Sequence, residues 1–433
     1  MTHQAPLLVT NTRLIDPASG LDAPGHILCK DGLIAGVSTG TAQPSVPEGT
    51  EVFDAQGRIT APGLVDMRAH AVDIPAALAG GVTTLTLQPD QTTCIDTDAV
   101  VERIRRRSVE DGRLSVIPMG ALTKGMAGTE ITEIGQMYLA GSRAFTDCRQ
   151  SVADARVMRR IMEYVHHFGA LVVDFACEPS LAHEGVAREG EIATRLGLNG
   201  IPAIAEAIQI ERNVRLAEFP GCRVHIALVS TREGVEVVRA AKARGVKISA
   251  ATAPHYLYLN DNAVEGYRTF AKFSPPLGGE EDRLALIAGV ADGTIDTLVS
   301  DHDPKAADVK RLPFAQAAHG VVGLETLLPL TLTAVHAGKL DLMVALKALT
   351  SAPAAHLGLN AGQLKEGFAA DISVFDTDTP YKLERHQLKA QSQNMIADSL
   401  LLQGKVWATF KDGVCHYNAA RDMAATSQAG RAD

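Results

Sequence analysis

Two short stretches of this 433-residue chain carry side chains able to do chemistry: PGLVDMRAHAVD at 62–73 and SDHDPK at 300–305. On an extended strand, residues two apart share a face, so Arg68 and His70 point into one space. An imidazole together with the Asp301 carboxylate suits metal-assisted hydrolysis, in which a bound cation polarises a carbonyl and activates water. A catalytic zinc needs about three ligands from His, Asp, Glu or Cys, plus an open position for water. Arg68 cannot serve, because a guanidinium only donates hydrogen bonds and stays charged. Two unit charges 4 Å apart interact by roughly 4 kcal/mol at an effective dielectric of about 20, so a dication there meets about twice that in repulsion. Asp301 then needs a partner other than a metal, and Arg68 is the expected one.

Further candidates follow apolar runs: Gln88-Pro89-Asp90, Asp147-Cys148, Ala176-Cys177-Glu178, His225 and Leu228, and His255. The elements that must position them alternate. Between about 61 and 360 the runs GLVDMRA, GVTTLTL, RLSVIPMG, SRAFTD, ALVVDFA, RVHIAL, VKISAAT and DTLVSD read as buried strands. Amphipathic segments such as DARVMRRIMEYVHHF and EGVEVVRAAKARG separate them. Eight such units predict an α/β fold, a (β/α)8 TIM-like barrel, whose chemistry gathers at the C-terminal strand ends. Residues 1–60 and 361–418 are strand-and-turn in texture, with Asp31-Gly32 and Asp412-Gly413 as hairpin turns. They predict a small β-sandwich domain formed from both termini, with 419–433 as a flexible tail.

The gross balance excludes several classes of function. A net charge of −9 argues against nucleic-acid and anionic-membrane surfaces. No apolar run reaches the roughly 18 residues of a membrane span, and the N-terminus lacks a signal-peptide core. The six cysteines are scattered, with no C-x-x-C pair, which points to reduced thiols and a cytoplasmic protein.

The stretches PGLVDM, AGGVTTLTLQPDQTTCIDT, EGEIATRLGLNGIPAIAE, VHIALVST, SPPL, DGTIDTLVSDH, GVVGLETLLPL and GFAADISVFD occur in that order. Together they resemble the bacterial type I dihydroorotases of the amidohydrolase superfamily. The resemblance implies a barrel holding one or two zinc ions at its strand ends. It also implies departures at most chemical positions. Arg68, Ala176 and Leu228 stand where the family carries metal-binding histidines, while His70, Asp147 and Asp301 are remnant positions. Val72 replaces a substrate-binding arginine and Gly278 the arginine of an Asn-Pro-Pro-Leu-Arg motif, Asp90 and Ser274 replace asparagines, and Cys148 replaces the second of two paired aspartates. His319 stands where the family has a substrate-facing phenylalanine. His255 and His302 border the mouth and, with His319, are candidates for ligand binding.

Loss of the ligands and of the substrate clamp together points away from catalysis, with no cofactor expected and Asp301 left as a residual catalytic group. The resemblance extends to inactive family members of de novo pyrimidine biosynthesis. These act as structural partners of the aspartate transcarbamoylase catalytic chain, as a homodimer within a larger assembly. An alternative is an active cyclic-amide hydrolase with a rearranged one-zinc or metal-free site. Separately, Cys148 and Cys177 could join His70, His255 and Asp301 in a non-family metal set. A third reading is a sensor of anionic ligands held by Arg68 and Lys305.

Overall fold

A computed structural model describes residues 5–42, 44–395 and 399–422. Eight parallel strands line the centre: Leu64–Ala69, Val82–Leu87, Ser115–Pro118, Ala144–Phe145, Leu171–Asp174, Arg223–Ile226, Ile248–Thr252 and Thr297–Leu298. They fall on the eight apolar runs of the sequence. Two groups of paired strands are joined by parallel bridges, Gly120 to Phe145 on one side and Ala69 to His302 on the other, which closes the barrel. Nearly every side chain of these strands is buried, as expected where helices cover a sheet that also encloses its own core.

The helices follow their sequence signals. Ala155–His167 starts at Asp154, whose carboxylate accepts from the Arg156 and Val157 amides, and buries Met158, Ile161, Met162 and Val165 at helical spacing. Arg232–Ala243 is capped by Thr231, whose hydroxyl accepts from the Gly234 amide. The closing seam is polar. Asp66 is wholly buried in the first strand and accepts from the Ser300 amide (2.9 Å), the Ser300 hydroxyl (2.5 Å) and the Arg68 amide (3.1 Å). Burial, the largest influence, lifts the Asp66 pKa to about 6, against the Ser300 hydrogen bonds that lower it. The first and last barrel strands are thereby fixed in register, which aligns the ends carrying Arg68 and Asp301.

Both chain ends build one further sheet. Five N-terminal strands (Leu7–Asp16, Leu21–Lys30, Leu33–Thr39, Glu51–Asp54 and Ile59–Pro62) join three C-terminal ones (Ile372–Leu383, Leu400–Lys411 and Val414–Asn418). The junction is antiparallel, with Ile372 opposite Pro62 and Phe375 opposite Ile59. Asp31-Gly32 and Asp412-Gly413 have positive φ at both residues, the geometry a two-residue hairpin needs to match strand twist. A separate apolar core, including Leu14, Ile27, Ile34, Ile372, Val374 and Phe410, lies on this sheet. Residues 419–422 of the expected tail form a helical turn with Ala419 buried, and 423–433 lie outside the described residues.

Candidate functional site

The first strand delivers Arg68 into the barrel mouth, where Nε donates to Asp301 Oδ1 at 2.8 Å, the pairing expected from sequence. Both side chains are buried, at 2% and 1% exposure. Arg68 Nη1 reaches Gln88 Oε1 at 3.3 Å, and the guanidinium carbon lies 5.8 Å from the Phe175 ring centre. Asp301 sits at φ 47°, a left-handed conformation that a short polar residue tolerates, and this turns its carboxylate inward at the strand end. Burial opposes its charge, but a hydrogen bond from His70 and the charges of Arg68 and Arg149 hold it well below the usual carboxylate range.

His70 lies between acids. Its Nε2 is 3.4 Å from Asp301 Oδ1, and its Nδ1 is 2.7 Å from Asp90 Oδ2. Burial and the Arg149 charge lower the pKa of the imidazole, yet Cys148, Asp301 and Asp90 outweigh them and raise it to about 10. An imidazole in this setting is a cation, unsuited to accepting a proton at neutral pH. Asp90 is held well below the normal range: burial raises it, but the His70 hydrogen bond and charge prevail.

Arg149, which the sequence reading did not single out, is the hub of the mouth. Its Nη2 donates to Asp303 Oδ2 at 3.1 Å and lies 3.9 Å from Asp301 Oδ1. Nη1 lies 3.7 Å from Asp90 Oδ2 and 3.3 Å from His70 Nδ1. Lys305 Nζ completes the network on Asp303 Oδ1 at 2.8 Å. A loop arginine has no periodicity to betray it, and its partners come from three separate strand ends. The only available signal was its place beside Asp147-Cys148.

The remaining candidates scatter. Asp147 turns away to accept from the Leu122 and Thr123 amides (2.8 and 2.9 Å) and the Thr123 hydroxyl (2.5 Å), so its oxygens serve a neighbouring turn. His302 is fully buried, and its Nδ1 accepts from the Gly323 amide at 3.3 Å. Its backbone carbonyl receives the His70 amide at 2.8 Å, so the residue is a strut of the mouth wall. His255 stacks on Phe273 with ring centres 4.4 Å apart, and its Nε2 has no hydrogen-bond partner among the described residues. His319 is half-buried, and burial, then Arg149, pushes its pKa down to about 3. His225 donates to or accepts from Ser249 Oγ at 2.8 Å inside the core. Cys148 joins His70, with Sγ 3.6 Å from Nδ1, while the expected Cys177 is not in that group of metal-capable side chains.

The family's zinc does not fit these residues at its own positions. Arg68 occupies Asp301, and Ala176 and Leu228 are buried apolar side chains without a lone pair. A different group, His70, Asp90 and Cys148, brings three donor atoms within 4.8 Å of one another. The Arg149 guanidinium touches two of them.

Solved structures place the fold in a class. The L-hydantoinase (dihydropyrimidinase) from Arthrobacter aurescens is similar with a TM-score of 0.84 at 24% identity, over 96% of each chain. A D-hydantoinase (dihydropyrimidinase) from Thermus sp. gives 0.82 at 20% identity over 95% of each. The chain thus has the barrel fold of the hydantoinases. Sequence narrows this further. The family described as Dihydro-orotase-like matches residues 57–234. Proteins named dihydroorotase are similar over nearly the whole chain: that of Syntrophotalea carbinolica is 39% identical over 423 residues, covering 95% of this chain and 99% of its own. That of Pelobacter propionicus is 40% identical over 419 residues, covering 94% and 98%. The chain belongs to the dihydroorotase family.

Proposed function

We propose that this chain is a catalytically inactive dihydroorotase-family protein of pyrimidine biosynthesis, a structural partner of the aspartate transcarbamoylase catalytic chain in the cytosol. The observation that carries the loss of catalysis is the buried Arg68 guanidinium on Asp301, 2.8 Å away. Asp301 is the family's catalytic carboxylate by position, and an acid so paired and so acidic does not take a proton from water. With the His70 pKa raised to about 10, the histidine beside Asp301 is a poor base at neutral pH as well. The partner follows from the sequence resemblance, and the homodimer within a larger assembly with it.

The experiment is co-purification. Tagged protein expressed in its own cells is expected to bring down the transcarbamoylase chain and to lack dihydroorotate hydrolysis. A transcarbamoylase that runs as a free, fully active trimer and ignores this protein refutes the partnership.

One observation favours a second reading, an active cyclic-amide hydrolase with a rearranged site. The relatives at 37–40% identity are named dihydroorotase. Turnover of dihydroorotate that disappears with chelator would establish it.

A further inference from the structure

We propose that His70, Asp90 and Cys148 form a latent transition-metal site that the Arg149 guanidinium keeps closed. Two of the three donors, Asp90 and Cys148, stand where the family carries other residue types, so this is not the family's own ligand set. The donor atoms, one nitrogen, one oxygen and one sulfur, lie within 4.8 Å of one another. With zinc–nitrogen and zinc–sulfur bonds of about 2.0 and 2.3 Å, tetrahedral ligands sit roughly 3.5 Å apart. His70 Nδ1 and Cys148 Sγ are already 3.6 Å apart. His70 Nδ1 and Asp90 Oδ2, at 2.7 Å, hold a hydrogen bond in place of a metal. Their separation must open by only about 0.8 Å to admit an ion. The left-handed backbone at Cys148, φ 61°, belongs to the loop that brings its thiol to His70.

What bars the ion is a resident cation. Arg149 Nη1 is 3.3 Å from Nδ1 and 3.7 Å from Asp90 Oδ2, on two of the three donors at once. The residue is anchored by Asp303, and its side chain is only 14% exposed. A dication beside it meets the repulsion that Arg68 also supplies from the far side of Asp301. Removing the Arg149 side chain removes both the obstruction and one positive charge. Metal binding then displaces to solvent whatever protons the donor atoms hold. The inference shares with the proposed function the premise of a guanidinium in a cation's place. Its test reads coordination instead of turnover, so either can fail alone.

The test is titration of the full-length protein with cobalt(II), followed by absorption spectroscopy. Arg149→Ala is expected to take up one cobalt per chain at least about 100-fold more tightly than the unaltered protein. It should show a thiolate-to-cobalt charge-transfer band. Adding Cys148→Ser should abolish the band, and adding Cys177→Ser should leave it. Arg149→Gln, which keeps a polar side chain on the loop, serves if the alanine variant does not fold. A folded Arg149 variant that takes up no cobalt overturns the proposal. So does an unaltered protein that binds cobalt with the same affinity and the same band.

Discussion

Arg68 and Asp301 are 233 residues apart in the chain and 2.8 Å apart in the barrel mouth. A buried pair of this kind adds little net stability, but losing Arg68 leaves Asp301 with only the more distant His70 and Arg149 as cationic neighbours. Arg68→Met is therefore expected to lower the free energy of unfolding by about 3–5 kcal/mol, measured by urea denaturation. Asp301→Asn added to that variant should recover part of the loss, because asparagine is neutral and accepts the left-handed backbone at this position, while His70 and Arg149 lose a shared acid. No recovery would mean that Arg68 acts through packing alone. The buried histidines set the acid limb of stability. Burial, the leading cause, depresses His302 to about 3 and His255 to about 4, below their unfolded value near 6.5. The unfolded chain binds more protons below pH 6.5, so stability falls as pH drops from 6.5 towards 4. His255→Gln should flatten that limb by on the order of 2 kcal/mol at pH 4.5 in pH-dependent denaturation.

Among the elements, the C-terminal segment 389–395 does what no local pattern announced. It returns from the terminal sheet and laces the mouth. Asn394 Nδ2 donates to the Asp303 and Gly320 carbonyls, each at 3.0 Å, and its Oδ1 accepts from the Lys305 amide at 3.0 Å. The Gln391 amide donates to Asp73 Oδ2 at 2.6 Å, and the Ser392 hydroxyl donates to the Lys305 carbonyl. Asn394→Ala removes three hydrogen bonds from backbone groups, those to the Asp303 and Gly320 carbonyls being buried. It is expected to destabilise the protein by about 2–4 kcal/mol and to speed amide exchange selectively between 303 and 322. Uniform acceleration across the barrel would contradict a local role. The elements themselves were legible: periodicity located all eight barrel strands, and two Asp-Gly pairs located hairpins. The strap was not, because its hydrogen bonds are side chain to distant backbone and leave no period in the sequence. Arg149 escaped for the same reason, whereas Arg68 was caught because strand alternation ties it to His70.

For the whole molecule, strand ends one, two, four and eight are held by protein charges: Arg68, His70, Asp90, Arg149, Asp301 and Asp303. On the proposed reading no metal supports the native state, so a chelator is expected to leave the melting midpoint unchanged within about 1 °C. Scanning calorimetry with and without chelator measures this. A fall of several degrees would reveal a stabilising metal. The most direct measurement of the central claim is dihydroorotate hydrolysis by the purified protein with saturating zinc. The account predicts a rate indistinguishable from buffer, and sustained turnover near the ordinary enzyme range of about 1 per second or more would contradict it.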